Sequence, residues 1–117
     1  MRLNEVNYDT APPIEGYGPG FFRIGGEVLH GARLLGPDLN AAWDGTSPDA
    51  ALALAGKIDV LLLGLGPEIS APPAAFVEAL EAAGIGVEFM ATPPACRTYN
   101  VLLGEGRRIA AALLPVT

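Results

Sequence analysis

Hydrophobic and polar positions follow two different patterns, and the change comes near Ser47. Before it, apolar residues occur in short runs broken by glycine and proline. Phe21-Phe22-Arg23-Ile24 and Glu27-Val28-Leu29-His30 flank Gly25-Gly26, which is the signature of a β-hairpin closed by a two-residue turn. A third short strand is expected over Ala32 to Leu35, ended by Gly36-Pro37. Residues 1–20 carry Pro12, Pro13, Gly16, Gly18, Pro19 and Gly20, and this composition predicts an extended lead-in lying on the surface of a domain that spans 21–117. Trp43, in a polar, turn-rich loop, is expected to cap an edge of the core.

After Ser47 the runs lengthen. Ser47-Pro48 reads as an N-cap and a first-turn proline, opening a short helix through DAALALAGK. The strand expected over Asp59 to Leu63 is an unbroken apolar run after its first residue, as a strand buried on both faces requires. The loop Gly64 to Pro72 leads into PAAFVEALEAAG, an amphipathic helix. Its Phe76, Val77, Leu80 and Ala83 line one side, Glu78 and Glu81 the other, and Gly84 stops it. Gly86 to Met90 is the next strand. A helix from Thr92-Pro93 to about Leu103, a turn at Gly104-Glu105-Gly106 and a strand over Arg108 to Leu114 complete the chain.

The order is an N-terminal antiparallel hairpin, a helix, then β-α-β-α-β. Two consecutive β-α-β units predict three parallel strands joined by crossovers of one hand. The hairpin region supplies antiparallel strands, so the class is α/β with a mixed sheet, with or without a second small sheet. There is no internal repeat or linker.

Composition narrows the function classes. A chain of 117 residues with 50% hydrophobic and 17% charged residues has the balance of a packed domain. Net charge −6, with the cations scattered apart from Arg107-Arg108, argues against nucleic acid as a partner. One cysteine and one histidine, His30, allow neither a disulfide framework nor a self-contained zinc site. No metal or cofactor is expected. MRLNEVNYDTAPP has no long apolar run, so no signal peptide is expected. Val60 to Leu65 is too short to span a bilayer, so direct membrane insertion is not expected either. The expected setting is cytoplasmic.

Gly64-Leu65-Gly66 follows a strand, but Ile69 stands where a dinucleotide fingerprint needs glycine, and Pro67 interrupts the loop. No serine sits in a nucleophile elbow, and no acid–base pair is specified, so no catalytic residue is assigned. The densest group of capable side chains is MATPPACRTYN, residues 90 to 100. It lies at the C-terminal end of an expected parallel strand, where open α/β sheets hold ligands, and its helix N-terminus offers N–H groups to an anion. Gly64, Gly66, Glu68, Thr92, Cys96, Arg97, Thr98, Tyr99 and Asn100 are therefore the candidate pocket or interaction residues, with Glu68, Arg97, Tyr99 and Asn100 at the rim. Against this stand three plain readings: a buried cysteine, an arginine paired with a carboxylate, and a tyrosine and asparagine that tie down loops.

FFRIGGEVLHGARLLGP with the following Trp43, DVLLLGLGP, and GIGVEFMATPPACRTYNVLLGEGRRIAAALLP together carry a family resemblance. The chain resembles the small α/β domain family that includes mitochondrial complex I assembly factor 3 and an adipogenesis-associated mammalian domain protein. The resemblance implies a three-layer α/β fold with a mixed sheet and no established catalytic activity, metal or cofactor. For the mitochondrial member it implies assembly of a respiratory complex with a protein partner. Ala91 stands where the family commonly has an acidic residue, and LGLG where it often has an IGTG-like strand exit, which counts against a shared enzymatic mechanism. Six arginines to one lysine, with abundant alanine, glycine and proline, point to a bacterial source with a GC-rich genome. The expected function is a non-enzymatic interaction or assembly module with a protein partner, membrane-peripheral only through that partner. A homodimer through the hairpin edge is a second possibility. The alternative is a protein or enzyme that binds a small anionic metabolite around Arg97.

Overall fold

The structure, a computed structural model, describes residues 11–117. The part of the expected lead-in at residues 1–10 lies outside them. Two sheets form. The smaller is an antiparallel meander of β1 (Gly16–Gly18), β2 (Phe21–Ile24) and β3 (Glu27–His30). Gly25 and Gly26 close the β2–β3 hairpin at φ 62° and 80°, a backbone that costs glycine nothing and most residues a clash. The larger sheet has the order β5-β4-β8-β6-β7, from β4 (Arg33–Gly36), β5 (Leu39–Ala42), β6 (Val60–Leu65), β7 (Gly86–Met90) and β8 (Ile109–Leu114). β6, β7 and β8 run parallel, and β4 joins β8 antiparallel. The mixed sheet expected from the pattern is present, and so is the second small sheet.

Among the described residues three helices, α1 (Asp49–Leu52), α2 (Ala74–Ala82) and α3 (Thr92–Gly104), complete the order. From β6 the chain steps outward to β7 through α2, then back past β6 to β8 through α3. Crossovers of one hand that step in opposite directions must use opposite faces of a sheet. Accordingly, α2 and α1 cover one face, with Phe76, Leu80, Ala51 and Leu54 against Leu61, Leu63, Ala110 and Ala112. The other face carries α3 and the small sheet, with Ala95, Cys96, Tyr99, Phe22 and Ile24 against Leu35, Leu62, Ala111 and Leu113. The result is a three-layer fold around β6 and β8. Burying each of the leucines 61–63 completely contributes on the order of 1.5–3 kcal/mol.

Three local expectations change, and one unexpected strand is added. The surface lead-in gives way from Ala11 onward, because Ala11 and Ile14 are buried in the core and Gly16–Gly18 pairs with β2. Gly36-Pro37 ends β4 as expected, but a further strand follows it. Pro37 and Asp38 form a tight turn, Asp38 at φ 56°, and lead into β5, which pairs with β4 residue for residue. The helix expected through DAALALAGK is a single turn, after which the chain winds through Gly56 at positive φ. Ala83 caps the C-terminus of α2 and is exposed, so it does not share the buried face of Phe76 and Leu80.

Trp43 stacks obliquely on Phe76 at 5.4 Å and donates its indole N–H to the Ser47 carbonyl, so it does close an edge of the core. The loop beneath it is organised by Asp44, whose carboxylate accepts N–H bonds from Ser47 and Thr46 and is held below its usual range by them.

Candidate functional site

The candidate residues separate into three groups that the topology places differently. Gly64, Gly66 and Thr92 converge where the chain leaves β6 and enters α3. Cys96, Tyr99 and Asn100 lie on the inner side of α3. Arg97 and Glu68 are exposed, and Thr98 is half-buried.

At the first junction, Thr92 is the buried fastener. Its backbone N–H donates to the Gly66 carbonyl at 2.8 Å, and its Oγ1 accepts the Gly66 N–H at 2.8 Å. The same hydroxyl donates to the Leu114 carbonyl at 2.6 Å, so one side chain joins the ends of β6 and β8 to the start of α3. Gly64 lets them meet: a methyl group there would lie 2.8 Å from both Leu113 Cδ2 and Thr92 Oγ1 and 3.2 Å from Thr92 Cα. Gly66, at φ 95°, turns the chain away. Because the loops after β6 and β7 depart to opposite faces, an open α/β sheet would leave a crevice here. Thr92 and Gly66 bridge that crevice.

Nor does α3 offer an anion site at its start. The first-turn donors of a helix are ordinarily unpaired. Here Thr92 N–H is bonded to Gly66, Pro93 and Pro94 have no N–H, and Ala95 N–H is bonded to Ala91. The free N–H groups expected from the sequence are therefore absent at this helix start.

Tyr99 is not a rim residue. It is 0% exposed, and its hydroxyl donates to the Pro12 carbonyl at 2.6 Å. Burial pushes its pKa well above the ordinary tyrosine value. Asn100 grips the next residues on both sides: its Oδ1 accepts the Ile14 N–H at 2.9 Å and its Nδ2 donates to the Ile14 carbonyl at 2.7 Å. That is the bond pattern of a neighbouring strand, supplied by one side chain. These two residues clasp residues 12–14 against α3, and Glu15 N–H then continues the pairing to Arg23 O.

Cys96 is buried among Ala95, Tyr99 and Leu62. Desolvation pushes its thiol up to about 11 from 9.0, and the nearby Arg97 charge opposes the shift only in part. The thiol is protonated near neutral pH and is no nucleophile. Two outcomes are expected. A thiol reagent leaves the native chain unlabelled near neutral pH and labels it at once in denaturant; rapid native labelling would contradict the burial. Because the folded value is the higher one, the stabilisation from this group is full below the unfolded value of 9.0 and is lost as pH rises toward 11. Denaturant midpoints measured across that window for the natural chain and Cys96→Ala should converge at high pH.

Arg97 points outward and, among the described residues, forms no ion pair or hydrogen bond. The described residues bring no three histidine, cysteine or carboxylate side chains together in a metal-binding cluster. A cavity of about 430 Å³ does exist, but at the opposite end of the sheet from these candidates. None of its lining residues belongs to the candidate set, and the one signal of it in the sequence is the Arg107-Arg108 pair beyond a glycine turn.

Residues 14–114 match a family described as "Protein of unknown function (DUF498/DUF598)". An uncharacterized protein of Rhodobacter capsulatus is 49% identical over 117 residues, covering 99% of this chain and 94% of that one. The NADH dehydrogenase [ubiquinone] 1 alpha subcomplex assembly factor 3 of Danio rerio is 36% identical over 110 residues. That match takes in 87% of this chain and 63% of the zebrafish protein's length. Among solved structures, an outer membrane protein from Bartonella henselae superposes with a TM-score of 0.85 at 32% identity, covering 95% of this chain and 100% of that one.

Proposed function

The chain belongs to the DUF498/DUF598 family, and from that membership we propose that it is a non-enzymatic interaction module serving the assembly of a membrane-bound respiratory complex. The observation that carries the reading is the 36% identity to a protein named as an assembly factor of NADH dehydrogenase. The site chemistry supports it. The side chains that looked most capable, Thr92, Tyr99 and Asn100, are committed to holding the fold together. What the surface offers a partner is apolar and edge-like. β7 is an edge strand of the larger sheet, so among the described residues its outward backbone groups have no sheet partner. Phe89 on that strand is 43% exposed, and Ile69 on the loop after β6 is 63% exposed. Added-strand pairing with an apolar anchor is a recurring mode of protein recognition. No helix among the described residues is long and apolar enough to cross a membrane, so contact with the complex would run through the partner.

Affinity purification from the native cell tests this. A protein partner should co-purify, Phe89→Asp should abolish capture while leaving the melting temperature unchanged, and deletion should lower the assembled NADH dehydrogenase on native gels. An absent partner together with an unchanged complex level would sink the proposal.

A further inference from the structure

We propose that the cleft at the N-terminal end of the parallel strands is a binding site for a phosphate ester that also carries a hydroxyl group. The cleft encloses about 430 Å³, within the roughly 300–1,000 Å³ typical of small-molecule sites. Three tight turns build it: Pro37-Asp38 between β4 and β5, Gly56-Lys57 before β6, and Gly106-Arg107-Arg108 before β8. Asp38, Gly56 and Gly106 all have positive φ, so these loops fold back sharply and bring their side chains to one concavity. Ala11, Pro37 and Ile109 give it apolar walls.

Charge is what distinguishes it. The chain has seven Lys and Arg residues and a net charge of −6, yet Lys57, Arg107 and Arg108 all line this one cleft, where Asp38 is the single lining carboxylate among the described residues. Arg108 is fixed in place. Its Nε and Nη2 donate to Asp59 at 3.3 and 3.2 Å, and Nη2 also donates to the Gly56 carbonyl at 3.2 Å. Lys57 and Arg107 are exposed and, among the described residues, make no side-chain hydrogen bond or ion pair.

A structural duty explains part of this group only. The C-terminal dipole of α3 attracts one cation, and Asp59 accounts for Arg108. Neither explains a lysine from one loop and a second arginine from another on the same cavity. The backbone donors of the two cationic residues without a side-chain partner are already used, since Lys57 N–H bonds Leu54 O and Arg107 N–H bonds Leu102 O. What these two residues offer a ligand is therefore their side chains. A guanidinium fork and an ammonium suit phosphate oxygens, and Asp38 across the cleft accepts from a hydroxyl. The site lies at the far end of the sheet from the strand-end candidates, and it stands or falls independently of the assembly role.

Inorganic pyrophosphate titrated into the isotope-labelled chain at low ionic strength provides the test. Saturable shifts of the Gly56, Lys57, Gly106 and Arg107 amides are expected. Arg107→Ala and Lys57→Ala should each weaken binding about tenfold or more, as loss of a charged hydrogen bond does. Both residues are exposed, so an unchanged melting temperature will show that the variants fold. Shifts that fail to saturate, that map elsewhere, or that are the same in both variants would overturn the assignment. Phosphatidylglycerol vesicles separate the two sources of this chemistry. Displacement of pyrophosphate from the same residues points to a lipid headgroup, and indifference to vesicles points to a soluble metabolite.

Discussion

Thr92→Val is expected to destabilise the chain by about 2–4 kcal/mol although it changes the side-chain volume hardly at all. Thr92 is fully buried, and its hydroxyl both accepts the Gly66 N–H and donates to the Leu114 carbonyl. Valine fills the space and satisfies neither group. Leaving a buried donor or acceptor unpaired costs roughly 1–3 kcal/mol each, and Gly66 is buried too firmly for water to replace the bond. At about 4 °C per kcal/mol for a domain of this size, the melting temperature should fall by roughly 8–16 °C. Thr92→Ser is the control. It keeps the hydroxyl and removes one methyl, so it should cost only on the order of 1 kcal/mol. If the valine variant melts within a degree or two of the natural chain, the hydroxyl is not what fastens β6 and β8 to α3.

That fastener explains what the sequence could and could not reveal about the site. The TPP that begins α3 was legible as a helix start. Its consequence was equally readable, since two prolines remove the donors on which an anion site depends. The partners of Thr92 were not, because they lie 26 and 22 residues away and only the fold brings them together. The same holds for Tyr99 and Asn100. RTYN stood out as a group of polar side chains, but the chain it holds is 86 to 87 residues upstream.

The secondary structure shows a similar division. The β2–β3 hairpin was readable to the residue because Gly25-Gly26 imposes its turn locally. β5 was hidden, since Leu-Asn-Ala-Ala has little intrinsic strand preference and is held by pairing with β4. β1 is a glycine-flanked triplet that forms a strand only because β2 lies beside it. Where tertiary pairing outweighs local preference, a pattern of apolar residues has nothing to show. The cleft at the opposite end was hidden for a related reason: its cations come from loops about 50 residues apart.

Releasing the N-terminal clasp should produce the second large effect, and a more local one. Tyr99→Phe leaves the Pro12 carbonyl without its 2.6 Å partner, and Asn100→Ala removes both bonds to Ile14. Each change should cost about 1–3 kcal/mol. Both side chains hold the same segment, so their effects should not add. Once either is lost, the remaining bond has a looser segment to hold, and the double variant should fall measurably short of the sum. Ile14 is 5% exposed and Phe22 0%, so freeing residues 12–14 also uncovers apolar surface on the α3 face. Exchange protection should drop first at the Ile14 and Glu15 amides, while amides of β6 and β8 keep theirs, which is the signature of a local opening. Limited proteolysis should then cut in the stretch before β2. A uniform loss of protection across both sheets would instead mean that this segment is as integral to the fold as the strands themselves. In that case, the clasp is part of the core and not a strap laid over it.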